Sequence, residues 1–182
     1  IGMQAYIDVY YACLMEDDVL DDIYRFLRIG FQAGPRVIGM LAEPPVSRML
    51  EIRRAVGNEI HHFREFARFQ SLENQVYVSH LEPKNDVIML VGNHFSDRMP
   101  SEHWMIIDDK RFIAIVHPAD QDYYLTILSK EEMDRLSIQT DDPFIDLWKD
   151  FFNTIGIKER ENHQCQRNLM PLWYRKHMTE FQ

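Results

Sequence analysis

The sequence predicts an α+β protein, with helices before and after an antiparallel sheet or meander that holds one inserted helix. Apolar side chains recur at helical spacing near both ends of the chain, whereas the middle alternates between apolar and polar residues as strands do. We therefore assign one domain over residues 1–182. Its helical N-terminal part covers 1–65, its sheet part 66–128 and its helical C-terminal part 129–182.

Three helices are predicted in the N-terminal part. "AYIDVYYACLM" is the first, and "DVLDDIYRFLRIGFQAG" is the second, with an acidic first turn and an end near Gly34-Pro35. The third follows "AEPPV" and is amphipathic. Its apolar face consists of Met49, Ile52, Val56, Ile60 and Phe63.

The residue pattern of the central part predicts two strands, a helix and then three strands. "ARFQSLENQVYVSHLEP" gives two strands around a turn at Leu72 to Asn74, and "DVIMLVGNHFSDRM" gives the inserted helix. The meander follows in "HWMIIDDKRFIAIVHPADQDYYLTIL", with turns at residues 108–110 and 118–121. From about Ser129 the pattern is helical again, with an apolar stripe made of Trp148, Phe151, Phe152 and Ile155.

Composition indicates a globular protein outside the membrane. Hydrophobic residues make up 46% of the 182 residues and charged residues 27%, which argues against disorder. No apolar run is long enough to cross a bilayer, and the N-terminus lacks the pattern of a signal peptide. The two distant cysteines favour free thiols in the cytoplasm. Because the chain opens on Ile1 within a predicted helix, we expect it to be a fragment of a longer protein.

Common catalytic and cofactor motifs are absent from the sequence. It contains no G-x-x-x-x-G-K-[ST], G-x-G-x-x-G, G-x-S-x-G or H-E-x-x-H motif, so we predict no cofactor. Glu59 and His62 form an E-x-x-H pair, which di-iron bundles use together with a second such pair. No second pair exists here, so we predict no metal site and favour an ion pair or hydrogen bond on the helix face.

Local charge points to a nucleic-acid surface, although the net charge is −9. Residues 52–70 and 147–182 each have two more basic than acidic side chains. Their cations can pair with phosphates, and two tail aromatics can stack on bases. The alternative is that Leu172, Trp173 and Phe181 cap the core and the basic side chains are merely solvated. The candidate nucleic-acid-binding residues are Arg64, Arg68, Lys158, Arg160, Arg167, Trp173, Tyr174, Arg175 and Lys176.

An enzyme acting on a nucleobase or a phosphodiester is a second hypothesis. It requires side chains capable of acid–base chemistry to converge in one pocket. The candidates are Glu59, His62, His94, Asp108 and Asn162. His94, His103 and His117 lie at predicted element ends, where packing or capping is the favoured interpretation. The pair Asp108-Asp109 before Lys110-Arg111 is interpreted as solvated hairpin chemistry.

Three blocks carry a resemblance to a known family. They are "RRAVGNEIHHFREFARFQ", "LEPKNDVIMLVGNHFSDRMPSEHWMIID" and "LWKDFFNTIGIKERENHQCQRNLMPLWYRKHMTEFQ". Together they resemble a bacterial family of unknown biochemical function named "probable DNA metabolism protein". Matching positions include Glu82 in the second block and His177 in the third.

The resemblance implies a role beside DNA-modifying chemistry. Genes of that family neighbour a radical-SAM protein thought to modify or repair DNA, and some members are fused to a uracil-DNA-glycosylase-like domain. DNA and a radical-SAM protein are therefore the expected partners, and a scaffold that binds only protein is a third hypothesis. Members usually begin with a strand and helix that this chain lacks, which agrees with a fragment.

Overall fold

The computed structural model describes residues 1–72, 76–136, 147–151, 154 and 162–181. Contacts divide the chain into two compact units, one formed by Ile1–His61 with Pro83–Val87 and the other by His62–Glu82 with Ile88–Gln182. The described residues confirm the α+β class, because a five-stranded sheet lies between helical regions at both ends of the chain.

The first unit is helical. It contains α1 (Met3–Cys13), α2 (Leu20–Ala33), a 3-10 helix (Gly34–Gly39) and most of α3 (Pro44–Phe66). Asp21 and Asp22 occupy the first turn of α2, where carboxylates favour the helix N-terminus. Gly34 ends this helix with a φ of 65°, a conformation that glycine adopts without strain. The predicted end near Gly34-Pro35 is thus confirmed.

The core of the first unit is built from the apolar faces of its helices. Met49, Ile52 and Val56 of α3 are at most 1% exposed, as the amphipathic pattern predicts. Phe26 of α2 and Val37 of the 3-10 helix are fully buried with them. The predicted apolar stripe of α3 is therefore confirmed.

The second unit contains the sheet and the C-terminal helices. Its strands are β1 (Gln70–Leu72), β2 (Val76–Leu81), β3 (His103–Asp108), β4 (Ile113–His117) and β5 (Tyr124–Ile127), in the order β1-β2-β3-β4-β5. Helix α4 (Ile88–Arg98) connects β2 to β3. Further along the chain come α5 (Lys130–Leu136), α6 (His163–Leu169) and two 3-10 helices, Leu172–His177 and Thr179–Phe181.

One strand pairing corrects the prediction of an antiparallel sheet. β2 and β3 run parallel, with Leu81 opposite Asp108, while the other three pairings are antiparallel. A parallel pair requires a crossover connection, which is what α4 supplies between the two strands. The carboxyl ends of β2 and β3 therefore meet at one edge of the sheet. The meander from β3 to β5 is confirmed.

Helices cover both faces of the sheet. On one face, Met133 of α5 packs against a cluster that contains Val78, Ile107 and Ala114. On the other face, α4 lies close to β4, since a Cβ added at Gly92 would meet the Ile115 side chain. Of the predicted C-terminal stripe, Trp148 and Phe151 are 41% and 50% exposed, so these two are not buried as an apolar stripe would be. Phe152 and Ile155 lie outside the described residues.

No described helix is both long enough and apolar enough to cross a membrane. Cys13 and Cys165 are exposed free cysteines, as the sequence predicts.

Candidate functional site

The 3-10 helix Leu172–His177 carries an exposed aromatic ring supported by buried ones. Tyr174 is 8% exposed, and its ring centroid lies 4.9 Å from that of Phe63 and 5.0 Å from that of His62. Trp173 lies 4.8 Å from the Tyr174 ring and 6.1 Å from Phe63, yet remains 44% exposed. Tyr174 is thus an anchor of the segment, while Trp173 presents its indole to solvent.

Two cations predicted to bind phosphate are engaged within the protein. Arg68 Nη2 lies 2.6 Å from Glu180 Oε1, and the Glu180 side chain is only 2% exposed. Arg64 Nη2 donates to the backbone carbonyl of Leu90 at 2.8 Å. Both guanidinium groups therefore stabilise the fold locally in this structure.

The other cations predicted to bind phosphate lie in α6, in the 3-10 helix Leu172–His177 and outside the described residues. Lys176 pairs with Glu82, and both side chains of this pair are well exposed, at 61% and 42%. The Arg175 guanidinium lies over the Phe181 ring, 4.7 Å from its centroid. Arg167 of α6 is exposed. Lys158 and Arg160, which were also predicted to bind nucleic acid, lie outside the described residues.

A group of ionisable side chains lies where β2 and β3 end. Glu82 directly follows β2 and Asp109 directly follows β3, so the parallel pairing brings the two positions to the same edge. His80 belongs to β2, and Lys176 and His177 close the group from the 3-10 helix. We call these five residues the carboxyl-edge cluster.

The Asp109 carboxylate lies between two imidazole rings. Its Oδ1 is 2.8 Å from His80 Nδ1, and its Oδ2 is 4.0 Å from His177 Nε2. Because an ionised carboxylate only accepts hydrogen bonds, His80 Nδ1 is the donor and its Nε2 carries the lone pair when the ring is neutral. The Nε2 atoms of both His80 and His177 are buried without a hydrogen-bond partner in the structure described here.

The electrostatics of the cluster centre on His177. Burial lowers the pKa of this imidazole, Asp109 and Glu82 raise it, and Lys176 and His80 lower it, with a net decrease from the usual value. His177 is therefore neutral near pH 7. Its Nε2 also lies 3.9 Å from Glu82 Oε2, so a proton gained there would be placed between two carboxylates.

Glu59 of the E-x-x-H pair anchors a loop. Its carboxylate is 5% exposed and accepts the backbone N–H of Lys84 at 2.6 Å and that of Asn85 at 3.2 Å. The Asn85 side-chain amide donates to it as well. His62, one turn later, stacks on Phe66 with ring centroids 5.7 Å apart. Within the described residues, no group of three or more histidine, cysteine or acidic side chains is arranged to hold a metal ion.

The remaining predicted acid–base residues also have local roles. Burial and the charges of Arg64 and Arg98 lower the pKa of His94, and its ring contacts Phe95. Asn162 caps α6, since its side chain accepts the N–H of Cys165 at 2.9 Å. His94 and Asn162 thus each have a local structural role.

The interpretation of Asp108 as a solvated hairpin residue is wrong. Its side chain is fully buried and accepts the N–H groups of Lys110 and Arg111 at 3.0 and 3.1 Å. Arg111 Nη1 pairs with it at 2.9 Å. Asp108 is the last residue of β3, the central strand of the sheet. Its buried carboxylate therefore fixes the β3–β4 turn from inside the protein.

An open pocket of about 740 Å³ lies elsewhere in the second unit. His117 at its wall is stacked on Trp104, with ring centroids 4.7 Å apart, and its Nδ1 is 3.0 Å from the Glu102 carbonyl oxygen. His103 Nδ1 accepts the N–H of Ala119. Packing and capping are therefore confirmed for these two histidines. The pocket is lined by Ser96, Pro100, His117, Asp120, Gln121 and Asp122.

Sequence reasoning missed the carboxyl-edge cluster. Its members are 97 positions apart at the extremes, His80 and His177, and the parallel pairing that joins them was not predicted. The available signal was the position of Glu82 and Asp109, each directly after a strand on either side of a helix. A strand–helix–strand order favours parallel pairing, which would have brought these carboxylates together.

Comparison with protein-family models matches residues 17–180 to a domain of unknown function, DUF4130. The chain belongs to the DUF4130 family. No curated protein and no solved structure matches the chain. The DUF4130 match covers the carboxyl-edge cluster, Trp173 and Arg167.

Proposed function

We propose that this DUF4130 protein is a DNA-associated accessory protein in DNA repair or modification, and that it contacts single-stranded DNA through residues 163–181, the C-terminal segment. The observation that carries the proposal is the exposed indole of Trp173, held against the buried rings of Tyr174 and Phe63. Exposed tryptophan is costly to leave in water, and a base is a natural stacking partner for a ring fixed in this way.

Cations close to Trp173 in the sequence support a nucleic-acid ligand. Lys176 is three residues from Trp173 on the same 3-10 helix, and Arg167 is exposed on α6 just before it. A stacked base would place its phosphates within reach of such side chains. Because the chain as a whole is acidic, we expect this binding to be local and to weaken as the salt concentration rises.

The proposed partner is a radical-SAM protein that modifies or repairs DNA. This part of the proposal rests on the resemblance to the "probable DNA metabolism protein" family, including its members fused to a uracil-DNA-glycosylase-like domain. The accessory role would consist of presenting single-stranded DNA to that enzyme. We expect the protein to act in the cytoplasm, where bacterial DNA is accessible to both.

Fluorescence anisotropy with a labelled single-stranded oligonucleotide at low salt tests the DNA contact. We expect the wild-type chain to bind and Trp173→Ala to weaken binding about tenfold, since stacking on one aromatic ring contributes roughly 1–3 kcal/mol. Leu172→Ala is the matched control, because Leu172 is a neighbouring side chain that is 62% exposed. The absence of binding by the wild-type chain at micromolar concentration would overturn the proposal.

A pull-down with a radical-SAM protein of the kind whose genes neighbour those of the resembled family tests the partnership. Capture of that protein in the presence of nuclease supports direct contact between the proteins. Capture without any DNA binding in the anisotropy experiment would favour the scaffold hypothesis instead. Failure of capture with intact DNA binding would remove the partner from the proposal.

A further inference from the structure

One carboxylate oxygen in the carboxyl-edge cluster faces both an ammonium group and an imidazole. Glu82 Oε2 pairs with Lys176 Nζ and lies 3.9 Å from His177 Nε2. Lysine and histidine differ as partners of a carboxylate, because an imidazole gains its charge only on acidification whereas the charge of an ammonium group does not depend on pH in the neutral range. The two neighbours on the 3-10 helix therefore compete for the same acceptor in a way that depends on pH.

We propose that Glu82 is an internal competitor of the DNA backbone, which holds Lys176 while His177 is neutral and releases it when His177 is protonated. The inference rests on the proposed function, because it concerns how the same C-terminal segment is regulated. Glu82 stands in for a phosphate on Lys176, and DNA binding requires that it be displaced.

The exposure of the pair makes displacement feasible. With the Lys176 side chain 61% exposed and that of Glu82 42% exposed, water screens the attraction, and such pairs are weakly held. A phosphodiester brings a full negative charge to the same ammonium group. Arg68 offers a contrast, since its partner Glu180 is 2% exposed and its pair is shielded from competition.

Every charged neighbour of His177 takes part in the response to pH. His80 lies in β2 and Glu82 directly after it, while Asp109 directly follows β3 and Lys176 precedes His177 in the same 3-10 helix. With both imidazoles neutral, the cluster has one positive and two negative side chains. Protonation of His177 adds a second positive charge 3.9 Å from Glu82 and 4.0 Å from Asp109. Glu82 then has a cationic partner other than Lys176, and its attraction for Lys176 is weakened.

His80 and His177 approach different oxygens of Asp109. His80 Nδ1 bonds Oδ1 at 2.8 Å, whereas Oδ2 lies 4.0 Å from His177 Nε2. Glu82 Oε2 lies at a similar distance, 3.9 Å, so a charged His177 attracts both carboxylates, and Glu82 is the one that it shares with Lys176. Since burial lowers the pKa of His177, the transition is expected below the usual histidine value of about 6.5.

The test compares affinities for a labelled single-stranded oligonucleotide at about pH 5.5 and about pH 8. At about pH 8, Glu82→Gln is expected to bind about threefold more tightly than wild type, because a competitor for one phosphate contact is lost. The matched control is Glu131→Gln, which removes the same charge from an exposed position in α5. Adding Lys176→Gln to Glu82→Gln is expected to cancel the gain.

The role of His177 is tested by the change in DNA affinity with pH. Wild type is expected to gain affinity on acidification, and His177→Gln is expected to lose most of that gain. In Glu82→Gln the advantage over wild type is expected to shrink at the lower pH to the extent that His177 is protonated there, since the charged imidazole competes for Glu82. Circular dichroism melts at both pH values show whether each variant is folded under the conditions of the measurement.

The outcomes separate the inference from the proposed function. If wild type binds DNA and the affinity of Glu82→Gln at about pH 8 rises no more than that of Glu131→Gln, the inference that Glu82 competes with DNA is wrong. The proposal of DNA binding would still stand. If His177→Gln keeps the full response to pH, the proton switch is wrong. If neither wild type nor Glu82→Gln binds at either pH, the proposed function itself fails.

Discussion

Arg68 and Glu180 are 112 residues apart in the sequence, yet Arg68 Nη2 lies 2.6 Å from Glu180 Oε1. Burial alone would raise the pKa of the Glu180 carboxyl, but hydrogen bonds from Arg68 and Trp148 and the charge of Arg68 hold that pKa below its usual value. The pair therefore ties the last 3-10 helix to the segment between α3 and β1, so the C-terminal segment is part of the folded unit.

The first prediction concerns the removal of this pair. Arg68→Gln is expected to lower the free energy of unfolding by roughly 2 kcal/mol near pH 7, since it leaves a buried carboxylate without its cation. Glu180 has a lowered pKa in the folded state, so its contribution is present above its unfolded pKa and is lost as the pH falls through the folded value. The difference from wild type should therefore shrink at about pH 3.

Urea denaturation at both pH values measures this effect. Arg135→Gln, at an exposed position of α5, is the matched control and should leave the free energy of unfolding nearly unchanged. An Arg68→Gln variant as stable as wild type near pH 7 would show that the pair contributes nothing.

The second prediction concerns the loop anchor in the helical unit. Glu59→Ala is expected to lower the free energy of unfolding by about 3 kcal/mol, because two backbone N–H groups and the Asn85 amide lose their acceptor. Hydrogen exchange at Lys84 and Asn85 should accelerate in the variant. Glu43→Ala, on an exposed side chain, serves as the control, and equal stability of the two variants would contradict the anchoring role.

The third prediction has the opposite dependence on pH. Burial raises the pKa of Asp108, although Arg111 and the turn N–H groups oppose the increase. The folded state thus binds this proton more tightly than the unfolded chain, so the contribution to stability is present below the unfolded pKa and is lost as the pH rises through the folded value.

Asp108→Asn removes that titration while it keeps an oxygen acceptor for the β3–β4 turn. Relative to wild type, the variant should therefore gain stability between about pH 4 and about pH 7. Thermal melts across this range measure the difference between the two proteins. A difference that is constant with pH would mean that Asp108 titrates equally in the folded and unfolded states.

The fourth prediction separates phosphate contacts from stacking. Arg167→Gln is expected to reduce the slope of log Kobs against log salt by about 0.7 for single-stranded DNA, since one phosphate contact is lost. Trp173→Ala should weaken binding without a change in that slope, because stacking releases no counterions. Identical slopes in wild type and Arg167→Gln would place Arg167 outside the interface.

Local patterns in the sequence account for most elements of the fold. The spacing of Met49, Ile52 and Val56 predicts the buried face of α3, because these positions share one side of any α-helix. The alternation in the meander likewise predicts β3, β4 and β5. Such patterns depend on neighbours within a few residues, so they can be read without the tertiary structure.

The candidate site depends on contacts between distant parts of the chain. The sequence identified Trp173, Tyr174 and the surrounding cations, but not that Tyr174 is buried or that Arg68 and Lys176 face Glu180 and Glu82. Nor did it predict the carboxyl-edge cluster, which exists because β2 and β3 run parallel.

The sequence by itself determined the α+β class, the position of most helices and strands, and the set of aromatic and basic residues near the C-terminus. The tertiary structure decided which of those side chains meet solvent and which meet a carboxylate. The physical reason is that periodicity sets which face of an element is apolar, whereas strand direction and long-range contacts set which charges become neighbours.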